Sequence, residues 1–179
     1  MKEVSPTILA LDVGAKQIGT AVFENGRLFF YAVKLIRKST ETETLKQVRK
    51  VLEMLAFDSG IQVIAVEKLV YSQQQNSFVK TVYEEVKDFS NEEGIKLLEF
   101  EPLFVRQTIC KEKEATKQNT FEIITRLYPE LSKAFFATRI WQKAYYAYLF
   151  NAIAVGLVCI KEIKGSNLIR IIRKDSKNE

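Results

Sequence analysis

Two acidic residues, Asp12 and Glu67, each close a short apolar run. Asp12 follows residues 7–11 and Glu67 follows residues 61–66. Runs of this kind indicate buried strands, so the two carboxylates would converge at one sheet edge if the strands are neighbours. Carboxylate oxygens are hard ligands suited to Mg²⁺ or Mn²⁺, and these ions also coordinate phosphate oxygens. Gly14 leaves space beside Asp12 for a backbone or a phosphate to approach. The alternative is that both acids are merely solvated strand ends.

The composition narrows the chemistry further. The chain of 179 residues contains no histidine, which excludes His-based triads, His-ligated zinc and His general bases. Catalysis would therefore use carboxylates, hydroxyls, amides, lysine or a metal ion. The formal net charge of +5 is a mild signal for a polyanionic partner. Cys110 and Cys159 are predicted to be unpaired thiols.

The chain has no segment that resembles a signal peptide, and none that reaches the ~18 consecutive apolar residues of a membrane helix. We therefore expect a cytoplasmic protein with no membrane partner. The length and the 47% hydrophobic fraction suit one domain of ordinary size. We predict this domain over residues 1–163, followed by a basic C-terminal tail over residues 164–179.

The element order that must position the two acids begins with three strands. Residues 7–14, 18–23 and 27–33 read as an antiparallel meander, because Asn25-Gly26 is a strong signal for a type I′ hairpin turn. A helix over 42–57 follows, with Leu45, Val48, Leu52 and Leu55 on its apolar face. The strand that ends in Glu67 comes after this crossover helix and is expected to lie parallel to an earlier strand.

The second half is predicted to be mainly helical. Helices are expected at 77–89, 117–127 and 134–163, with one short strand at 97–100 that Pro102 ends. This order predicts an α/β fold in which a mixed five-stranded sheet, three antiparallel strands and then parallel ones, is flanked by helices.

Several of these segments resemble RuvC-type Holliday junction resolvases of the RNase H-like superfamily. The segment 8–14, followed by Gly19 and an antiparallel strand, is similar to the first strand pair of that family. The segment 63–68 is similar to the strand that ends in the catalytic Glu of the family. Glu101-Pro102 and Val105-Arg106 are similar to a strand and a basic loop of the family. Residues 115–118 are similar to the start of its Lys-bearing helix, and residues 151–157 are similar to the motif in its terminal helix.

The resemblance implies an RNase H-like fold and a homodimeric, Mg²⁺- or Mn²⁺-dependent endonuclease that cuts branched DNA. Asp12 and Glu67 carry over as catalytic metal ligands. The terminal helix departs from the family, which has acids three residues apart where this chain has Tyr148 and Asn151. Asn151 is then the third predicted catalytic and metal-binding residue, and it offers a neutral carbonyl oxygen in place of a charge. We expect it to project from the terminal helix toward Asp12 and Glu67.

Nucleic-acid contacts are predicted from the same resemblance and from the basic residues. Arg106, Lys113 and Lys117 lie in one expected loop and helix start, where they would neutralise phosphates. The family places an aromatic residue just after the catalytic Glu, where it stacks on an unpaired base at the junction. Val70 stands at that place and Tyr71 is next to it. An ordinary solvated surface is the alternative for these residues.

Four functions remain open at this point. The first is an active junction-cleaving endonuclease, and the second is a catalytically weak or inactive protein that keeps the nucleic-acid surface. A sugar-kinase or actin-like ATPase ranks low, because those chains are much longer and this one has no Gly-Gly adenosine loop. The smaller ribosomal-RNA-processing relatives of the resolvases match Asp12 through Gly19 but fit the later segments less well.

Overall fold

The computed structural model of the chain describes residues 5–37, 40–74, 76–136 and 139–165, apart from the side chains of Tyr71, Ile140 and Trp141. The predicted basic tail lies outside these residues except for its first two positions, which end the last helix. Cys110 and Cys159 are both unpaired, as predicted.

A mixed five-stranded sheet forms the centre of the protein, which confirms the predicted fold class. Strands β1 (Ile8–Val13), β2 (Gln17–Glu24) and β3 (Arg27–Leu35) form the antiparallel meander. The hairpin turn has positive φ at Asn25 and Gly26, 51° and 76°, as a type I′ turn requires. Strands β4 (Val63–Glu67) and β5 (Lys96–Phe100) are parallel to β1, and the strand order is β3-β2-β1-β4-β5.

One face of the sheet is covered by α1 (Glu41–Ser59) and α3 (Ser77–Glu92), with the short helix α2 (Tyr71–Gln74) before α3. Helix α1 begins after the N-cap residue Thr40 and ends at Gly60, whose φ of 58° stops the helix. The helix buries Val48, Leu52 and Leu55 as predicted. Leu45 is only partly buried, and Thr44 is buried in its place.

Helices α4 (Pro102–Cys110), α5 (Lys117–Leu127), α6 (Ser132–Phe135) and α7 (Ile140–Gly165) belong to the opposite layer. The bounds predicted for α5 are confirmed. The loop expected around Val105-Arg106 is wrong, because Pro102 occupies the first turn of α4, where its missing N–H costs nothing. Lys111, with φ of 59°, ends that helix.

The long helical region predicted over 134–163 consists of two helices, because α6 and α7 are separate. The rings of Phe135 and Phe150 lie 6.2 Å apart. In one continuous helix fifteen residues would separate the two rings by about 22 Å, so α6 and α7 cannot belong to one straight helix.

Helix α7 passes through the centre of its layer. Its segment Gln142–Gly165 is long and apolar enough to cross a membrane by length and composition, with a mean hydropathy of 1.5 in its most apolar window. However, 67% of that window is buried inside the protein, so the apolar side chains are already covered by the sheet and the neighbouring helices.

Two glycines let α7 approach the sheet closely. A Cβ atom on Gly19, in β2, would overlap the backbone carbonyl of Tyr148, and one on Gly156, in α7, would overlap the ring of Phe23. Backbone cannot rotate out of the way as a flexible side chain can, so the contact at Gly19 fixes the height of α7 above β1 and β2.

Gly19→Ala is therefore expected to lower the free energy of unfolding by about 3 kcal/mol, the upper part of the usual range for overpacking. Alanine would otherwise favour a strand by ~0.5–1 kcal/mol over glycine. Urea denaturation measures the change. Gly165→Ala, where a Cβ meets nothing within 4 Å, is the control and should change stability by less than about 0.5 kcal/mol. Equal stabilities would show that α7 is free to move away from the sheet.

Candidate active site

Asp12 and Glu67 lie side by side at the carboxyl ends of neighbouring parallel strands. The register pairs Ile8 with Val63 and Leu11 with Val66, so the two acids each stand one residue beyond the last pair. Strand residues two apart share a face, and Ala10 and Ala65 pack in the core beneath α7. Both carboxylates therefore lie on the α7 side of the sheet, where they line one cleft of about 420 Å³.

Asn151 projects from α7 onto the same cleft. Its side-chain Nδ2 donates a hydrogen bond to Oδ2 of Asp12 over 2.8 Å, and both residues are buried. A donor at this distance stabilises the ionised form of the carboxylate. The terminal helix thus places an amide beside Asp12, as the sequence analysis expected.

Tyr148 lies one helical turn before Asn151 and lines the cleft as well. Its ring and hydroxyl sit directly over Gly14, since a Cβ on that glycine would come within 2.5 Å of the hydroxyl oxygen. The Tyr148 ring therefore fills the space beside Asp12 in which a phosphate or a backbone was expected. Burial, and then the nearby Asp12, raise the pKa of the Tyr148 hydroxyl.

Two of the predicted basic residues face the acids. Lys117 begins α5 after the N-cap residue Thr116, and Arg106 lies in α4. Both line the cleft. Lys113 does not line it. It is exposed in the turn between these helices, where its carbonyl accepts a hydrogen bond from Gln107 at 2.9 Å.

The carboxylates carry charge in an unfavourable environment. Burial, and then the proximity of Glu67, raise the pKa of Asp12 from 3.8 to about 7, against the opposing effects of Asn151 and Lys117. Burial also raises the pKa of Glu67, although Lys117 and Arg106 act to lower it. The positive side chains therefore offset the repulsion between the acids only in part.

The segment that begins α2 forms another wall of the cleft, with Gln73, which the sequence did not single out, and Val70, which stands where the family has its stacking aromatic residue. Val70, which is 43% exposed, and Gln73 both line the cleft. The Val70 N–H donates to Oε1 of Gln73 over 3.0 Å, which closes this short turn. Tyr71 begins α2, but its side chain lies outside the described part of the structure. The sequence signals for this wall of the cleft are the family resemblance at Val70 and the polar run that follows it.

The oxygen donors of the cleft are of the type that a hard divalent cation prefers, but they supply little negative charge. Asp12 and Glu67 supply carboxylate oxygens whose pKa values are raised by burial, and the carbonyl of Asn151 is of the same hard type. Among the described residues, no cluster of three or more Asp, Glu, His or Cys side chains is placed to hold a metal ion. Two negative charges are thus available to an ion in the cleft.

Asp12→Asn should raise the stability of the metal-free protein, because it removes a buried charge and keeps an acceptor for Asn151. At pH 8 in EDTA we expect a gain of roughly 2–4 kcal/mol, the order of free energy that corresponds to the raised pKa. The gain should vanish at pH 3, below the unfolded pKa of 3.8, where the carboxyl group is protonated in both states. Urea denaturation measures both values.

Asp88→Asn is the control, because Asp88 is exposed on α3, and it should change stability by less than about 0.5 kcal/mol. A loss of stability for Asp12→Asn at pH 8 would mean that the carboxylate is favourably held without a metal ion.

Scans against family models and against curated protein sequences found no match to the chain. Solved structures do match. The Thermus thermophilus RuvC in complex with Holliday junction substrate aligns with a TM-score of 0.66 and 16% identity, over 86% of this chain and 92% of that chain.

Two further resolvases align over most of their length. The yeast mitochondrial Holliday junction resolvase gives a TM-score of 0.66 with 11% identity, over 89% of this chain and 80% of that chain. The Fowlpox virus resolvase with its junction DNA gives 0.54 with 14% identity, over 87% and 97%. The chain therefore has the fold of the RuvC-type Holliday junction resolvases, as its sequence resemblance implied.

Proposed function

We propose that this protein is a homodimeric, divalent-metal-dependent endonuclease that binds four-way DNA junctions and cuts them slowly. The observation that carries the proposal is the cleft in which Asp12 and Glu67 lie side by side with Lys117 and Arg106 in the same lining. Paired carboxylates next to cations suit a phosphodiester, because an ion held by the acids and the basic side chains can share its negative charge.

The basic residues of the cleft bind and orient the DNA backbone. Lys117 is exposed and Arg106 is half-buried, so the lysine offers a mobile point charge and the arginine a fixed, planar one. These contacts carry no sequence information, because they go to phosphates rather than to base edges. Specificity for a branched substrate is supported by the fold shared with the junction-bound resolvases.

Asp12 and Glu67, with the Asn151 carbonyl, would hold Mg²⁺ or Mn²⁺. When bound, such an ion neutralises phosphate charge and polarises the phosphodiester. Asn151 also positions Asp12 through its hydrogen bond of 2.8 Å. Because the charge of the ligands tunes the affinity for hard cations, two carboxylates bind the ion weakly, and catalysis is expected to need millimolar Mn²⁺.

The second candidate is a junction-binding protein without nuclease activity. The observation that favours it is the occupation of the terminal-helix positions by Tyr148 and Asn151, which bring a phenol and an amide to the cleft. The DNA surface would be the same in both cases, so the two functions are separated by whether the wild-type protein cleaves a four-way junction in Mg²⁺ or millimolar Mn²⁺.

Lys117→Ala should weaken junction binding and lower its salt dependence. If six or more phosphates are contacted, the wild-type affinity falls by ~10³-fold or more between 50 and 200 mM salt. Losing one phosphate contact reduces the slope of log affinity against log salt concentration by about 1. Fluorescence anisotropy with a labelled four-way junction measures both, and the same titration should saturate at two chains per junction if the protein is a dimer.

Lys50→Ala removes the same charge from the exposed surface of α1, in the opposite layer, and should leave the affinity and slope unchanged. Binding that does not depend on salt, or an equal loss in both variants, would contradict the proposed DNA surface.

Asn151→Asp should strengthen metal binding and speed cleavage, and Tyr148→Asp together with Asn151→Asp should do so more strongly. Without metal these variants should be less stable than wild type, because like charges gather around Asp12. Thermal unfolding with and without Mn²⁺ measures the first effect, and cleavage of a labelled junction measures the second.

Asn91→Asp, an exposed position on α3, adds the same charge away from the cleft and should leave metal binding and cleavage unchanged. If the double variant binds DNA and Mn²⁺ yet cuts no faster than wild type, the missing acids do not limit the site, and a binding-only function would need another cause.

A further inference from the structure

A second concave surface adjoins the active-site cleft on the same side of the sheet. It is a pocket of about 530 Å³ between α5, α6 and α7, within the roughly 300–1,000 Å³ typical of ligand pockets. We call it the aromatic pocket, and the residues that matter in its lining are Gln118, Phe121, Phe135, Phe136, Lys143 and Tyr146. Ala147 lines both this pocket and the cleft, so the two surfaces are continuous.

The walls of the aromatic pocket are rings held in fixed mutual positions. Phe121 stacks on Phe150 with a centroid distance of 4.8 Å, and Phe135 meets Phe136 edge to face at 5.0 Å. The ring of Phe136 is 70% exposed. Leaving a large ring exposed to water is unfavourable. A large exposed ring beside a concave aromatic wall is therefore typical of a surface that a ligand covers.

Polar groups stand beside these rings. Gln118 follows the cleft residue Lys117 directly, and its amide can both donate and accept hydrogen bonds. It now donates to Glu122 over 3.3 Å, an exposed contact that a ligand can replace. The lining also carries two opposite charges, on Lys143 and Glu122. Stacking faces with an amide and other polar groups beside them match a nucleobase.

We infer that the aromatic pocket receives an unpaired nucleobase of the strand whose phosphate lies in the active-site cleft. The inference rests on the proposed function, since that strand must first occupy the cleft. The shared wall at Ala147 and the adjacency of Gln118 to Lys117 put the pocket directly beside the cleft, within reach of a nucleotide next to a phosphate bound there. A side chain from a second copy of this chain is the competing occupant.

The test compares Phe136→Ala with Phe57→Ala. Phe57 is 69% exposed, almost the same as Phe136, but it lies on α1 in the opposite layer. Binding to a four-way junction should weaken roughly 5- to 150-fold for Phe136→Ala, the range that corresponds to the loss of one stacked base. Phe57→Ala should bind as wild type. On a junction with abasic sites beside the crossover, wild type and Phe136→Ala should bind equally.

The outcomes separate this inference from the proposed function. If Lys117→Ala weakens binding while Phe136→Ala matches Phe57→Ala, the base pocket is wrong and the DNA surface stands. If wild type binds no junction, both fail. If Phe136→Ala instead dissociates a dimer in the absence of DNA, as sedimentation velocity would show, a second copy occupies the pocket and the inference is overturned.

Discussion

The burial of the Asp12 carboxylate beneath α7 is the interaction on which the rest of the site depends. The strand brings this charge to the edge of an otherwise apolar layer, and the close approach of α7 at Gly19 removes water from above it. One hydrogen bond from Asn151 is the direct compensation. A buried charge with so little compensation is costly, so the geometry of the cleft must be held by the backbone.

Packing and electrostatics are coupled at this point. The carbonyl of Tyr148 rests on Gly19 while its ring rests on Gly14, so the same helical turn that sets the height of α7 also closes one side of the cleft. Asn151 follows one turn later. A change that lifts α7 would therefore loosen the hydrogen bond to Asp12 and open the cleft to water at the same time.

The charge balance distinguishes this site from one built of several acids. Two carboxylates, one lysine and one arginine face each other in the cleft, so the ensemble is close to neutral without a metal ion. The two positive side chains limit the repulsion between the acids, but the buried Asp12 carboxylate remains costly without a metal ion. This partial balance fits the proposed function of junction binding with slow cleavage. The aromatic pocket adjoins the same cleft.

The sequence by itself determined the strands, the hairpin at Asn25-Gly26, the bounds of α5 and the acids at two strand ends, because these depend on local periodicity and turn chemistry. It did not determine α4, since a proline such as Pro102 both ends strands and begins helices. It also did not separate α6 from α7, because only the packing of Phe135 on Phe150 rules out one straight helix. The place of Gln73 in the cleft and the position of the Tyr148 ring over Gly14 were decided by tertiary structure alone. Contacts between residues far apart in the chain depend on how closely two backbones approach, and no local pattern encodes that distance.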